Sequence, residues 1–238
     1  MTKSEPIIAN YTPSQAAIDL VKSTKIVLLV GIAGAGKDTI KHRLLENEAF
    51  RDIVSHTTRA PRINNGVAEV DGEDYHFIDT QTALRMAASH EFVEIKQVHD
   101  TMYGTSVREL EIARDEDKIA ITDIDVQGVD EYKSLSSAVV AVFILPPSYD
   151  VWRSRLSKRY ATEEEFAREW PKRRESAIRE LERVLSVPYY HFLINDDLDR
   201  AIRVTSEIAE RGDSFVRKDD EARLAARDLL QEIIAHEQ

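Results

Sequence analysis

The sequence predicts an α/β fold in which a mostly parallel sheet is flanked by helices. Short apolar runs rich in β-branched residues recur along the chain, helical patterns separate them, and a glycine-rich loop follows the first run. The runs are KIVLLV (25–30), KIAITDID (118–125), AVVAVFIL (138–145) and YYHFLIN (189–195). Strands that alternate with helices in this way pair in parallel, because each crossover helix returns the chain to the end of the sheet at which the previous strand began.

The composition is typical of a globular enzyme. The 238 residues carry a net charge of −11, which argues against broad nucleic-acid binding, and the lack of cysteine excludes disulfides and thiolate chemistry. The N-terminus lacks the apolar core of a signal peptide, and no stretch approaches the roughly 18 apolar residues of a membrane span. We therefore expect a cytoplasmic protein, monomeric or homodimeric, that binds neither nucleic acid nor a membrane.

The loop after the first strand has the pattern of a phosphate-binding loop. Its glycines let successive N–H groups converge on phosphate oxygens, the following helix adds its positive N-terminal end, and Lys37 can reach the β- and γ-phosphates. That helix has Ile40, Leu44 and Leu45 on one face. The residues predicted to contact ATP here are Gly31, Ala33, Gly34, Ala35, Gly36, Lys37, Asp38 and Thr39.

Asp38 stands where this loop usually has Ser or Thr, whose hydroxyl ligates Mg²⁺. A carboxylate is a good ligand for a hard cation, directly or through water. Alternatively, Asp38 only favours the first helical turn, with water completing the metal shell, or Thr39 supplies the hydroxyl one position later. The sequence leaves these alternatives open.

Residues 55–107 contain side chains suited to a phosphorylated acceptor. The stretch SHTTRAPR (55–62) offers two arginines with Ser and Thr hydroxyls, and Tyr75 follows, which together can clamp a phosphate-sized anion. Glu94 can accept two hydrogen bonds from adjacent donors, and guanine presents such a pair at N1–H and N2–H₂ whereas adenine does not. The lobe shows little helical periodicity, so we expect irregular strands.

These motifs together resemble the guanylate kinase family. The segments SHTTRAPR, GEDYHF, EFVE, YGTS, DIDVQG and INDDLDRA occur in the family's order and near its spacings, over roughly residues 25 to 210. The resemblance implies a P-loop NTPase fold with an inserted GMP-binding lobe and a helical lid. It assigns GMP binding to Ser55, Arg59, Arg62, Glu69, Tyr75, Glu94, Tyr103, Thr105 and Asp125.

The resemblance also implies roles for residues at strand ends. Asp125 approaches the GMP base or ribose, Asp123 lies nearer to Mg²⁺, and Asn195 lies near adenine. From the residues, Asp123 and Asp125 end a buried strand at the side where a parallel sheet binds its ligand, and one such Asp can hold Mg²⁺. The alternative is a turn and cap before a helix at Val129, and we expect Gln127 and Gly128 to shape that turn. The predicted metal ligands are therefore Asp38 and Asp123, directly or through water.

The lid is predicted at 153–183, a segment dense in both charges that suggests exposed, mobile helix, interrupted at Trp170-Pro171. Lid arginines stabilise the charge that phosphoryl transfer spreads over the transferring group. By resemblance the catalytic residues are Lys37, Arg155, Arg159 and Arg173, with Arg174 competing for the last position. The lid departs from the family, because its RGTE motif is here RYAT (159–162).

Three further helix signals complete the pattern. Thr12 is the expected N-cap of a short helix with Pro13 at its first position, and Ser106 with Glu109 forms a capping box. Asp196 and Asp197 begin another helix. After residue 213 an amphipathic helix is predicted, with its apolar face formed by Leu224, Leu229, Ile233 and Ile234.

The expected domain organisation has a main domain between two extensions. The extensions cover 1–24 and 213–238, and the main domain 25–212 consists of a core (25–54, 108–152 and 184–212), the lobe (55–107) and the lid (153–183). The expected reaction transfers the γ-phosphoryl group of ATP to GMP, and to dGMP, with Mg²⁺ as the only cofactor. The alternatives are a kinase for another nucleotide or a phosphorylated sugar, and a non-catalytic binding module that resembles the family.

Overall fold

The computed structural model describes residues 8–64, 67–212 and 220–236. Its helices, in chain order, are α1 (Gln15–Ser23), α2 (Lys37–Leu45), α3 (Thr80–Ala88), α4 (Val107–Asp115), α5 (Val126–Leu135), α6 (Tyr149–Ser157), α7 (Glu163–Leu185), α8 (Leu198–Arg211) and α9 (Asp220–Ala235). Its strands are β1 (Ile26–Val30), β2 (Phe50–Asp52), β3 (His56–Thr57), β4 (Ile63–Asn64), β5 (Val67–Ala68), β6 (His76–Phe77), β7 (Phe92–Val98), β8 (Thr101–Ser106), β9 (Ile119–Asp123), β10 (Val140–Leu145) and β11 (Tyr190–Ile194).

The chain forms two compact units. The first unit contains Met1–Ile26, Glu48–Thr122 and Asp130–Val139, and the second contains Val27–Asn47, Asp123–Val129 and Val140–Gln238. Among the described residues, no helix is both long enough and apolar enough to span a bilayer.

The second unit is built on a parallel sheet. β10 pairs with β1 on one side and with β11 on the other, with Val27 opposite Val140 and Ala141 opposite Tyr190. Every residue of β1 and β10 is buried, which explains why these strands are continuous apolar runs. The predicted strands are confirmed here, with their ends shortened by one or two residues, and so is the parallel α/β class.

The first unit contains a second sheet. β2 and β9 pair in parallel, whereas β6, β3, β8 and β7 form a separate four-stranded sheet in that order, in which β7 and β8 are an antiparallel hairpin. One side of this sheet packs on α3 through a core cluster, which consists of Ile8, Ala83, Ala87, Phe92, Ile95 and Met102. Three of the predicted acceptor residues, Glu94, Tyr103 and Thr105, lie on this sheet.

Helix α3 corrects the expectation of strands alone in the lobe. Asp79 caps it by accepting the Thr82 N–H at 2.8 Å, and Ala83 and Ala87, one turn apart, are buried. Two small apolar residues give only a faint helical period in the sequence. The capping aspartate is the signal that identifies the helix.

The expected break at Trp170-Pro171 is also wrong, because α7 runs continuously for 23 residues with Pro171 inside it. Proline in a helix interior removes one hydrogen bond and costs about 3 kcal/mol. The helix continues because both sides are stabilised independently. Thr162 caps the start, with three glutamates in the first turn, and Ala177, Leu181 and Val184 are buried beyond the proline.

Two helix starts differ from their predictions, and a third agrees. Helix α1 is capped by Ser14, whose hydroxyl accepts the Ala17 N–H at 3.2 Å, so Thr12 and Pro13 precede the helix. Helix α5 begins at Val126, not Val129, because Asp125 accepts the Gly128 N–H at 2.8 Å within the first turn. Helix α8 begins after Asp197, which caps it as predicted.

The apolar face of α9 is only partly as predicted. Leu229 and Ile233 are buried, together with Ala226, but Leu224 is 52% and Ile234 is 39% exposed. Since 3.6 residues complete a turn, Leu224 and Ile234 lie off the buried stripe. The start of the predicted segment, residues 213–219, lies outside the described residues.

Candidate active site

The phosphate-binding loop of the second unit joins β1 to α2, and its glycines are required by close approaches. Gly31 has a φ of +152°, and a Cβ there would lie 2.4 Å from the Ile144 carbonyl oxygen. Gly36 has a φ of +97°, and a Cβ there would lie 2.3 Å from the Asn195 side-chain nitrogen. Neither position accepts a larger residue without a shift of the loop or of Asn195.

Side chains of the second unit hold the loop by its carbonyl groups. The Trp152 indole N–H donates to Ala33 O at 2.8 Å, and the Asn195 amide donates to Ala35 O at 2.9 Å. Because the peptide is planar, each carbonyl held in this way turns the following N–H to the opposite side. The loop N–H groups of Gly34 and Gly36 are therefore oriented by residues on other elements.

Arg155 and Asn195 contact this loop directly. Arg155 lies within 3.5 Å of Ala35 O and donates to the backbone oxygen of Asn195 at 3.2 Å, and Asn195 is 6% exposed. The sequence predicted nucleotide contacts for both residues, and the structure brings both to the loop. Trp152 was not predicted, because a tryptophan in a helix ordinarily indicates core packing.

Lys37 lies at the start of α2, and its ammonium donates to the carbonyl of Gly31 at 2.8 Å. One turn later Lys41 pairs with Asp123 at 3.0 Å. Partial burial would raise the Asp123 pKa, but Lys41 and, less strongly, Lys37 outweigh it and hold the pKa below its usual value. Asp123 is thus ionised at neutral pH. Lys41 was not predicted from the sequence, although its i, i+4 spacing from Lys37 places it on the same helix face.

Asp38 lies in the first turn of α2, is largely exposed, and stands 3.5 Å from the Arg159 guanidinium. Exposed ion pairs of this kind contribute about 0–1 kcal/mol to the stability of the fold. The contact therefore bears more on where the Arg159 side chain lies than on stability. Arg159 belongs to the predicted lid. Asp38 therefore joins the phosphate loop to a lid arginine within the second unit.

In the first unit, Arg59 is the centre of the predicted phosphate clamp. Its guanidinium forms a bidentate pair with Glu69, with one contact at 3.0 Å, and lies over the Tyr75 ring at 5.1 Å. The hydrogen bonds that Arg59 donates to Glu69 raise the Arg59 pKa and lower the Glu69 pKa. Glu69 is thus placed as the partner of Arg59.

The other clamp residues are brought together in part. The Tyr75 and Tyr103 rings lie 6.0 Å apart at an edge-on angle. Arg62 is exposed, and its backbone N–H donates to Glu69 at 2.7 Å. Ser55 is half-buried and accepts the His76 N–H through its backbone oxygen. Arg59, Tyr75 and Tyr103 therefore form a compact group, with Arg62 at its exposed side.

Glu94 and Thr105, the predicted guanine-binding pair, face each other on β7 and β8. Glu94 Oε1 accepts the Thr105 N–H at 2.9 Å and its hydroxyl at 2.8 Å. The second oxygen, Oε2, is enclosed and has no hydrogen-bond partner among the described residues. Burial raises the Glu94 pKa to about 7, with a further contribution from the Glu131 carboxylate.

A cavity of about 900 Å³ borders Glu94 in the first unit. It is lined by the segment from Ile8 to Pro13, by β7, and by Glu131, Ser134 and Leu135 of α5. Glu131 was not predicted from the sequence. No pattern in the sequence links a charged residue midway along a helix to a strand 37 positions earlier.

The capping box predicted at Ser106 and Glu109 is wrong. Ser106 is the N-cap of α4, but its side chain forms no capping bond. The Glu109 carboxylate instead pairs with the His76 ring at 3.1 Å and accepts the Val54 N–H at 3.3 Å. These partners come from distant positions in the chain, so the local motif could not reveal them.

The two candidate lid arginines on α7 have different partners. Arg173 donates from Nε to the Tyr160 hydroxyl at 2.9 Å, whereas Arg174 donates to the carbonyls of Ile233 and Ile234 at 2.9 and 3.1 Å. Arg174 thus binds the C-terminal end of α9. Asp125, predicted near the acceptor, caps α5 and is exposed.

Comparison with known proteins gives consistent results. The sequence model of the guanylate kinase family matches residues 23–211. The chain is 37% identical to the guanylate kinase of Nitratidesulfovibrio vulgaris over 181 residues, which cover 76% of this chain and 83% of that protein. It is 34% identical to the pig guanylate kinase over 75% of this chain and 88% of the relative.

Two further matches differ in how much they cover. Guanylate kinase 1 of rice is 34% identical over 81% of this chain, and the match spans 51% of the rice protein's length. The crystal structure of guanylate kinase from Anaplasma phagocytophilum superimposes with a TM-score of 0.59 at 26% identity, over 90% of this chain and 97% of that chain.

Proposed function

Because the chain belongs to the guanylate kinase family, we propose that it transfers the γ-phosphoryl group of ATP to GMP, forming ADP and GDP. An oxygen of the GMP phosphate attacks the γ-phosphorus of ATP in line. The bond between the γ-phosphorus and the bridging oxygen of the β-phosphate breaks, and its electron pair leaves with ADP. No covalent enzyme intermediate is needed. The residues act by positioning the two nucleotides and by balancing charge.

The observation that carries the acceptor assignment is the buried carboxylate of Glu94. Thr105 occupies only Oε1, so both lone pairs of Oε2 are left to accept donors from the base. Guanine N1–H and N2–H₂ supply two adjacent donors. Adenine lacks this pair, so AMP would leave the buried carboxylate unsatisfied, which is strongly unfavourable.

For the acceptor phosphate we propose Arg59, Tyr75 and Tyr103 as the central contacts, with Arg62 and Ser55 beside them. The bidentate pair with Glu69 fixes the guanidinium plane of Arg59, so less side-chain entropy is lost when the phosphate binds. Glu69 thereby acts on GMP through Arg59. Asp125, which caps α5, is proposed to contact the base or ribose.

For ATP we propose that the loop N–H groups from Gly31 to Thr39 hold the β- and γ-phosphates and that Lys37 leaves the Gly31 carbonyl to join them. Asn195 contacts the loop beside the proposed adenine position. Arg155, Arg159 and Arg173 supply positive charge to the transferring group.

The donor set fits Mg²⁺ that arrives with ATP. Among the described residues, no three His, Cys, Asp or Glu side chains form a metal-binding group. Mg²⁺ in kinases usually takes one or two carboxylates and completes its shell with phosphate oxygens and water. Asp123, which is ionised, and Asp38, at the loop, are the residues we propose to hold it. When bound, the ion would neutralise phosphate charge.

A coupled assay of ADP release with GMP, dGMP, AMP, CMP and UMP tests this proposal. We expect turnover with GMP and dGMP, and discrimination against AMP in kcat/KM of at least about a thousandfold. Turnover with none of the five would exclude the kinase function.

A further inference from the structure

Helix α9 lies beyond residues 23–211, the part of the chain that the family model matches, and it packs on the lid helix α7. Each of the two helices has an arginine that contacts backbone carbonyls at the end of the other. Arg174 of α7 donates to the carbonyls of Ile233 and Ile234 in the last turn of α9, at 2.9 and 3.1 Å. Arg223 of α9 lies 3.4 Å from the carbonyl of Leu185, the last residue of α7, and 3.3 Å from Val187 O.

These arginine contacts give hydrogen bonds to carbonyl groups that have no partner within their own helix. The last four carbonyls of any helix lack partners within the helix. Each arginine covers such carbonyls on the other helix, so α7 and α9 are fastened at both ends of their contact. The Arg223 guanidinium also lies over the Phe192 ring at 4.7 Å, which connects this end to β11.

A second contact joins the same region to α6. The His236 ring, directly after α9, stacks on the Tyr149 ring at 4.3 Å between centroids and 19° between planes. Tyr149 is the first residue of α6, the helix that carries Arg155. The C-terminal segment therefore contacts α6 and α7, the helices that carry Arg155 and Arg173.

The fastened part of α7 begins at the residue next to Arg173. Three positions before Arg174, Pro171 has no N–H, so the Ala167 carbonyl lacks its usual helical partner. This weakens the connection between the start of α7 and the fastened part. Arg173 lies between the two, held by Tyr160 on one side and, through the backbone, by Arg174 on the other.

We propose that Arg174, anchored on α9, is a positioning residue that holds Arg173 for phosphoryl transfer. The proposal rests on the proposed kinase function. Arg173 is proposed to stabilise charge that develops in the transition state, so its displacement should lower kcat and leave substrate binding nearly unchanged. The C-terminal helix is thus part of the catalytic apparatus although it lies outside the family core.

The test compares three full-length variants by steady-state kinetics with GMP and ATP. We expect Arg174→Ala to lower kcat about tenfold, with both KM values within about twofold, because a small displacement of a catalytic group is costly. Arg174→Lys should recover part of the rate, since an ammonium still reaches one carbonyl. The matched control is Arg179→Ala, because Arg179 lies on the same helix and donates to Glu175, one turn earlier on that helix, at 3.0 Å. It should keep the parental kcat.

A double-variant cycle separates positioning from general stability. In an Arg173→Ala background, removal of the Arg174 guanidinium should change kcat by less than about twofold, because the residue through which it acts is absent. Additive losses, or an Arg174→Ala kcat equal to that of Arg179→Ala, would overturn the proposal while leaving the kinase function intact. If the parent fails to phosphorylate GMP, the proposed function itself fails.

If Arg174→Ala does not fold, Arg223→Ala carries the test from the other end of the contact. It should lower kcat several-fold with KM preserved. An unchanged kcat in a folded Arg223→Ala protein would contradict the anchoring role of α9.

Discussion

Glu94 and Thr105 are paired across β7 and β8, and a single carboxylate oxygen of Glu94 accepts both the amide N–H and the hydroxyl of Thr105. The arrangement fixes the carboxylate and leaves its other oxygen enclosed. A buried carboxylate with an unused oxygen is costly unless it serves a ligand or holds a proton. We propose that it does both, in the bound and free protein respectively.

Glu94→Gln tests the guanine-binding role. An amide presents one acceptor and one donor group, so it cannot accept from both guanine donors. We expect kcat/KM for GMP to fall roughly 10²- to 10³-fold while KM for ATP is unchanged. Glu91→Gln, at a nearby exposed glutamate, is the control. Unaltered GMP kinetics in Glu94→Gln would refute the assignment.

The Glu94 pKa of about 7 predicts how GMP affinity depends on pH. Below this pKa the carboxyl is neutral and cannot accept from both donors; above it the ionised form is available. Between pH 8 and pH 6 we therefore expect the KM for GMP to rise about tenfold, whereas the KM for ATP should not follow this curve.

The GMP phosphate itself titrates near pH 6, so a comparison between variants is needed. Glu131→Gln removes the like charge next to Glu94 and should move the midpoint of the KM curve to lower pH. Other titratable groups facing Glu94 are Lys96, Tyr132 and Tyr11. They are unchanged in this variant. Asp130→Asn removes an equal charge from the same helix and should leave the midpoint in place. Equal midpoints in all three proteins would contradict the prediction.

Much of the second unit could be predicted from local sequence. The strands around Val30 and Leu145 are buried on both faces, so they are unbroken apolar runs in the sequence. The glycines of the loop lie where a Cβ would contact neighbouring atoms, so they too are visible in the sequence. Less of the first unit could be predicted from the sequence. Helix α3 buries only two alanines, which give a weak helical pattern. Glu109 pairs with His76 and not with the N-terminus of its own helix, because tertiary contacts bring His76 beside it.

Asp38 can be tested through the Mg²⁺ dependence of the rate. If the carboxylate holds the ion, Asp38→Ala should raise the Mg²⁺ concentration for half-maximal rate several-fold, and Asp38→Ser should stay near the parent because its hydroxyl is also a ligand. Identical metal curves for the parent and both variants would leave Asp38 only as the partner of Arg159.

Glu69 is expected to act on GMP indirectly. Glu69→Gln weakens the bidentate pair with Arg59, so we expect the KM for GMP to rise about tenfold with a smaller change in kcat. Glu73→Gln, at an exposed glutamate of the same lobe, provides the control. Equal KM values for both variants would show that Arg59 does not depend on Glu69.

The most direct test of the central claim follows the phosphoryl group itself. The protein is incubated with GMP, Mg²⁺ and ATP labelled at the γ-phosphate, and the nucleotides are separated. We predict that the label appears in GDP, in amounts equal to the ADP formed, and that Lys37→Ala reduces this transfer by at least about a hundredfold. Label that remains in ATP, or that appears only as inorganic phosphate, would contradict the account.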